Sequence, residues 1–352
     1  MPVSTARTYR RRATRVGTAT ILSTALLAFA ACGSDSGGGD DTAADGGGEF
    51  SEVTLEHAFG ETTISEEPTS VVTLGWGSSE AAMALGTIPS AIEIQEYGGN
   101  EEGVLPWVEE ELTAQDADTP TLLPSTNAGD PAYEEILAET PDLILAPYSG
   151  ITEEQYEKLA KIAPTVAYPE VPWSTPWRDV IRITGEALGK ADQAEELVTE
   201  IDGDLAEQAE AHPEFEGVSI ATLAGDTTQF YTYTPADPRA AFLEDLGFTT
   251  APSVEEFAET GEEGAFFIGF SFEKADQLTS DVLLTYMDSE ENQQTLEGSA
   301  PYQSMEQVQE GTVAQVVGQS YVSSVSPPNA LSLQWGLPHL IEQLEGAVAD
   351  LS

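Results

Sequence analysis

The chain has 352 residues, with 12 Lys or Arg against 62 Asp or Glu and a single cysteine. A net charge of −50 repels nucleic acid and anionic membrane surfaces, which excludes a polybasic binder of either. One cysteine excludes an internal disulfide framework, and no segment after the N-terminal region is apolar over the roughly 20 residues that a bilayer span needs.

In chain order, residues 1–31 come first. They hold five arginines (Arg7, Arg10, Arg11, Arg12, Arg15), no acid, and an apolar run from Ala19 to Ala31. That is the layout of an export signal, and the run is too short and too interrupted by Ser23 and Thr24 for a permanent membrane helix. The arginine cluster leaves both the general and the twin-arginine export routes open. Phe29-Ala30-Ala31-Cys32 resembles a bacterial lipobox, and the segment GSDSGGGDDTAADGGGE after it is too polar and Gly-rich to bury anything. The expectation is lipid on Cys32 with residues 32–50 as a flexible tether, the alternative being ordinary cleavage that leaves a free thiol. Beyond Cys32, seven basic residues face all 62 acids, a balance of −55. A covalent lipid, rather than a basic patch, is then what holds the chain to the outer face of the cytoplasmic membrane. Most of the acids read as a solvated surface.

From residue 51 the pattern alternates. SEVTLEHAFGETTI predicts a hairpin and VVTLG a buried strand. SSEAAMALG predicts a helix capped by Ser78 or Ser79 and ended by Gly86. Asp130-Pro131 predicts a helix start for AYEEILAE, followed by the strand DLILAP. Thr152 with Gln155 predicts a capping box for the next helix, and PTVAYP another strand. A helical stretch then runs from Thr175-Pro176 to His212-Pro213, with Gly189 as a bend. The alternation resumes with VSIATLAG, FYTYT, the helix PRAAFLEDLG, DVLLTYM, TVAQVVG and a last helix around LSLQWGLPHLIEQLEGAVADL. Such βα repeats predict parallel or mixed sheets covered by helices on both faces. The fold class is α/β: two Rossmann-like lobes, 51–174 and 213–352, joined by a long backbone helix, 175–212.

The phrases EHAFGETTISEEPTSVVTLGWGSSEAAMALG, PDLILAPYSGITEEQYEKLAKIAPTVAY, DPRAAFLEDLGF and SFEKADQLTSDVLL, in this order, resemble the iron-siderophore substrate-binding lipoproteins of ABC importers, particularly those of actinobacteria. The resemblance implies a class III periplasmic-binding-protein fold with its ligand in the cleft between the lobes. It also implies a ferric siderophore as ligand and an ABC permease dimer as partner, with no cofactor and a monomeric receptor. The residues themselves offer little to an enzyme, for the chain has no G-x-S-x-G elbow, P-loop or G-x-G-x-x-G. His57, His212 and His339 show no paired metal-ligand spacing.

A ferric siderophore is bulky, partly apolar and oxygen-rich, with the iron's coordination shell already filled, so its receptor needs aromatic walls and a few donors. Trp76 and Tyr148 follow predicted strands, Trp173 lies in the loop PEVPWSTP, and Tyr231 and Tyr233 fall two apart on one strand face. The ends of strands in open α/β sheets are where ligands bind. For each aromatic the alternative is a core position. Arg239 lies in the first turn after Asp237-Pro238, where a helix dipole disfavours a cation. Holding an oxygen-rich ligand and pairing with Asp237 or Glu244 are its two readings. Arg178 and Arg182 are expected to pair with nearby acids. In the loop STNAGD many hydroxamate-binding relatives carry an arginine, whereas this chain has Asn127 as the available donor.

The resemblance also implies permease docking through a glutamate on each lobe, here Glu134 (with Glu135 one register away) and Glu273. The leading function is a lipid-anchored receptor delivering a ferric siderophore to an importer. Cobalamin or haem stands as the alternative within the fold, and an envelope enzyme or structural surface lipoprotein as the alternative from another class.

Overall fold

The expected hairpin opens the structure, a computed structural model that describes residues 50–225, 228–259 and 265–351. The export signal, Cys32 and the tether as far as residue 49 lie outside the described residues. Strands β1 (Val53–His57) and β2 (Gly60–Ile64) pair antiparallel, and their period-two burial turns Leu55, His57, Thr62 and Ile64 inward. His57 Nε2 lies 2.9 Å from Thr62 Oγ1, and Thr62 Oγ1 donates to the Thr165 carbonyl at 2.6 Å. The hairpin is thereby fastened to the first sheet.

That sheet contains β3 (Val71–Thr73), β4 (Ala91–Glu93), β5 (Thr121–Leu123), β6 (Leu143–Leu145) and β7 (Thr165–Val166), in the order β5-β4-β3-β6-β7 and wholly parallel. Its central strands are buried along their whole length because helices cover both faces. The chain starts at the centre, winds out to β5 and returns to β6, so the winding reverses between β3 and β6.

The second sheet contains β8 (Ser219–Gly225), β9 (Phe230–Tyr233), β10 (Thr249–Thr250), β11 (Phe267–Phe270), β12 (Val282–Met287) and β13 (Val313–Val317). Strands β10, β12 and β13 are parallel to β8, while β9 and β11 extend the sheet antiparallel. Here the winding reverses between β8 and β12. In open α/β sheets such reversals leave a crevice at the carboxyl ends of the strands.

The connection comprises two helices, Trp177–Ala187 and the 21-residue Ala191–Ala211, with the chain turning at Gly189 (φ 69°), the expected bend. Arg178 fixes this strut to the second lobe. Its guanidinium reaches Asp202 of the strut at 2.6 Å and, at 2.8 Å, Asp245 at the end of the helix Pro238–Asp245. Arg182 pairs with Asp179 and Glu195. One apolar core runs from Ala81 and Tyr148 in the first lobe through Val180, Val198 and Leu205 of the strut to Leu284 and Leu340 in the second. Because closely packed interiors resist deformation, this continuous core ties the two lobes together.

Two expected helix caps are displaced. The first helix, Ser78–Ala84, is capped by Gly77 (φ 73°), and the Ser78 hydroxyl donates back to the Leu74 carbonyl at 3.1 Å. The helix expected from Asp130-Pro131 begins at Tyr133, because Asp130 accepts a 2.9 Å hydrogen bond from Gln155 instead of capping its own segment. The Thr152–Gln155 capping box forms as expected.

Candidate functional site

Three aromatic residues converge at the reversal between β3 and β6. Trp76 follows β3 and Tyr148 follows β6, and the two loops are stitched by the Trp76 N–H donating to the Tyr148 carbonyl at 3.0 Å. This approach requires a glycine beside Trp76: a Cβ on Gly75 (φ 78°) would lie 2.3 Å from the Tyr148 carbonyl oxygen. Trp173 comes in from the loop before the strut, with ring centroids 5.3 Å from Trp76 and 5.8 Å from Tyr148. Its φ of 60° is unusual for a bulky residue and is strained by about 1–3 kcal/mol. The conformation is held by its N–H on the Ser149 carbonyl and by an indole laid directly over Gly150, where any Cβ would clash at 2.3 Å.

Glu93, at the end of β4, fixes the same edge from below. It is buried, and its two oxygens accept from the Gly75 N–H at 2.9 Å and the Thr126 N–H at 3.0 Å. Burial raises its pKa, opposed by those hydrogen bonds. Glu93 therefore joins the Trp76 loop to the loop STNAGD. Asn127 in that loop is exposed, within the short turn Thr126–Ala128.

The second lobe brings Tyr233, Arg239 and Tyr286. The Arg239 guanidinium sits 3.9 Å from the centre of the Tyr233 ring, and Tyr233 packs against Tyr286 with centroids 6.1 Å apart. Asp237 is the partner chosen from the two expected for Arg239, while Glu244 accepts from Thr250. Asp237 caps the helix Pro238–Asp245 by accepting the Arg239 N–H at 2.8 Å, and it accepts Arg239 Nε at 2.7 Å. One buried carboxylate thus compensates both the helix terminus and the cation. Burial opposes the Arg239 charge, but Asp237 outweighs it and holds the pKa above its ordinary value. Burial pushes the phenols of Tyr148, Tyr233 and Tyr286 up, so each remains a neutral O–H donor at physiological pH.

Trp76, Tyr148, Trp173 and Tyr233 belong to one packed cluster spanning both lobes, and Arg239 interacts electrostatically with Tyr148 across it. The structure thus brings five of the six expected ligand residues together. Tyr231 shares the partly buried face of β9 with Tyr233 but rests edge-on against Phe267 and accepts a hydrogen bond from Gln229. Because β9 is antiparallel, Tyr231 lies opposite Ala224, level with the end of β8. It reaches the strand-end region through its neighbour, not through its own strand's end. Glu134 and Glu273 are both exposed, on the helix Tyr133–Ala138 and the turn Phe272–Gln277.

Sequence reasoning missed Tyr286, Tyr97, Asp288 and Glu80. Tyr286 was available to the strand-end rule, being the penultimate residue of DVLLTYM. The others carry no local signal. Tyr97 donates to Asp288 of the opposite lobe at 2.5 Å, and Ser320 and Ser323 donate to the Gly98 and Tyr97 carbonyls. These bonds close one flank of the cleft. Two buried donors of the site, Trp76 Nε1 and Tyr286 Oη, have no partner among the described residues, as a seat for an oxygen-bearing ligand would leave them. The described grouping of three metal-ligating side chains is His212, Glu214 and Glu345 at the end of the strut. His212 caps that helix, stacks on Phe215 and meets the two carboxylates at 3.2 and 3.3 Å.

Comparison with known proteins agrees with this architecture. A probable siderophore-binding lipoprotein of Bacillus subtilis, YfiY, is 26% identical over 241 residues, 66% of this chain and 68% of that one. The ferric enterobactin-binding periplasmic protein FepB of Escherichia coli is 32% identical over 128 residues, a segment that spans 35% of this chain and 39% of that relative's own length. Among solved structures, Streptococcus pneumoniae PiaA in complex with ferrichrome matches with a TM-score of 0.76 at 33% identity, covering 85% of this chain and 99% of that one. A periplasmic solute binding protein of Mycobacterium smegmatis matches with a TM-score of 0.71 at 25% identity, over 84% and 99% of the two chains. The family model for periplasmic binding proteins matches residues 71–317, which include both sheets and the strut, and the chain belongs to that family.

Proposed function

We propose that this protein is an extracytoplasmic receptor that binds a ferric siderophore between its lobes and delivers it to the permease dimer of an ABC importer. The observation that carries this reading is the aromatic cluster at the two sheet reversals, which offers neutral phenol donors, unpartnered buried N–H and O–H groups and one held cation. Those groups suit an oxygen-rich, partly apolar chelate, and they are not iron ligands. Iron arrives as cargo with its coordination shell filled, so no resident cofactor is called for. Trp76, Tyr148, Trp173, Tyr233 and Arg239 contact the chelate, with Tyr231 at the rim. The named ligands of PiaA and FepB support the same class.

Titration with ferric hydroxamate, catecholate and carboxylate siderophores, each against cobalamin and haem, tests this. A ferric siderophore is expected to quench tryptophan fluorescence, and Tyr233→Ala to weaken that ligand about ten-fold, as loss of an aromatic wall and a donor implies. Quenching by cobalamin or haem alone would replace the siderophore with that ligand.

The receptor works as a monomer on a lipid anchor at Cys32, on the outer face of the cytoplasmic membrane. Mass analysis of protein from the membrane fraction is expected to find Cys32 as the N-terminal, diacylglycerol-bearing residue. An unmodified Cys32, or a terminus elsewhere, would remove the anchor.

A further inference from the structure

Trp76 and Tyr148 stand in the wall of a cavity of about 80 Å³ where the two lobes meet. Ligand pockets that enclose a whole drug-sized molecule hold about 300–1,000 Å³. This one is far too small for a ferric chelate but admits a narrow chain of a few atoms. Most of its wall is apolar, including Trp107, Trp177, Ile181 and Pro238. One carboxylate stands in that wall.

This carboxylate is Glu80, in the first turn of the helix Ser78–Ala84 and only 3% exposed. Its Oε1 accepts from Trp107 Nε1 and from Asn329 Nδ2 of the second lobe, both at 3.1 Å, and its Oε2 accepts from Ser79 Oγ at 2.7 Å. All three donors are neutral. Among the described residues no Lys, Arg or His forms an ion pair with Glu80, and the nearest arginine in sequence to the wall residue Pro238, Arg239, is taken by Asp237. In this wall the Glu80 carboxylate has only neutral donors around it, so a cation reaching the cavity would find an acceptor with no cation already on it. Glu93, the other buried carboxylate of this lobe, differs: it is not part of the cavity wall, and its oxygens are spent on the two backbone N–H groups it ties together. The cavity also has two indole N–H groups in its walls, of Trp76 and Trp177, that are buried without acceptors.

We infer that this cavity is a subsite for a pendant arm of the ligand, and that the arm ends in a cationic ammonium group held by Glu80. The inference rests on the proposed siderophore-binding function and narrows it to chelates with a flexible, amine-terminated chain. The ferric centre stays against the aromatic cluster, while the aliphatic part of the arm passes along the tryptophans of the cavity wall.

The test uses the ferric complexes of a linear trihydroxamate with a free terminal amine and of the same molecule N-acetylated, titrated by tryptophan fluorescence into the unsubstituted protein and Glu80→Gln. The amine-bearing chelate is expected to bind about ten-fold more tightly than the acetylated one, the weight of a charge-assisted contact. Glu80→Gln, which retains an acceptor for Trp107 and Asn329, is expected to erase that difference. Equal affinities in the unsubstituted protein would overturn the inference, and so would a preference that survives Glu80→Gln unchanged. If neither trihydroxamate binds while another ferric siderophore does, the amine-arm subsite falls and the receptor function stands. If no ferric siderophore binds, both fall. Should Glu80→Gln fail to fold, the ligand pair on the unsubstituted protein still decides whether an ammonium is preferred.

Discussion

In chemical denaturation, Arg239→Ala is expected to be less stable than the unsubstituted protein by about 3 kcal/mol, the scale of breaking a buried ion pair by removing one partner. The charge left behind is the reason. Asp237 is only 2% exposed, and without the guanidinium its carboxylate keeps the backbone N–H of residue 239 and no cation. Adding Asp237→Ser to Arg239→Ala is expected to recover much of the loss, since serine still caps the helix Pro238–Asp245 while carrying no charge. An Arg239→Ala midpoint equal to the unsubstituted one would show that the pair is not a buried pair in solution. The same pair of variants separates stability from recognition. If Arg239 faces the ligand, the double variant regains stability but not affinity. If the arginine serves only the helix terminus, both return together.

The second large effect is expected in cells. Glu134→Ala with Glu273→Ala should leave ferric siderophore affinity unchanged and abolish restoration of iron uptake to cells lacking the unsubstituted protein. Both residues are exposed and neither belongs to the aromatic cluster. Rim charges of this kind govern docking rate and partner choice more than the packing of a distant cleft. Uptake by the double variant at the unsubstituted level, with matched amounts on the cell surface, would remove the docking role. In a chain with 62 acids the control is a pair of equally exposed glutamates elsewhere, for instance Glu256 and Glu291, whose replacement is expected to leave uptake intact.

Local chemistry wrote some elements plainly into the sequence. Thr152 and Gln155 form their capping box because the motif is complete within four residues. Asp237-Pro238 starts its helix for the same reason, and the short, β-branched and aromatic run in DVLLTYM forms the strand Val282–Met287, which the structure buries along its whole length. Strands β4 and β5 were not legible in the sequence, whereas the equally short β3 and β6 were, inside the longer strand-like runs VVTLG and DLILAP. The cap expected at Asp130 failed because a competing donor, Gln155, comes from a helix more than twenty residues away.

The site divides the same way. Trp76 and Tyr148 could be picked out because strand ends in α/β sheets face the crevice, a rule that needs only the strand positions. By itself the sequence determined the acidic balance, the succession of βα units, the reach of the family resemblance and the aromatic candidates. All of these depend on composition or on contacts between near neighbours. Tertiary structure alone decided that Asp237, not Glu244, neutralises Arg239, that Tyr97 bonds to Asp288 across the cleft, and that Glu80 is buried with no ion-pair partner among the described residues. Each of the last two depends on groups from different lobes meeting, with partners 191 and 249 residues apart in sequence, and only the packing of the two sheets around the strut fixes such distances.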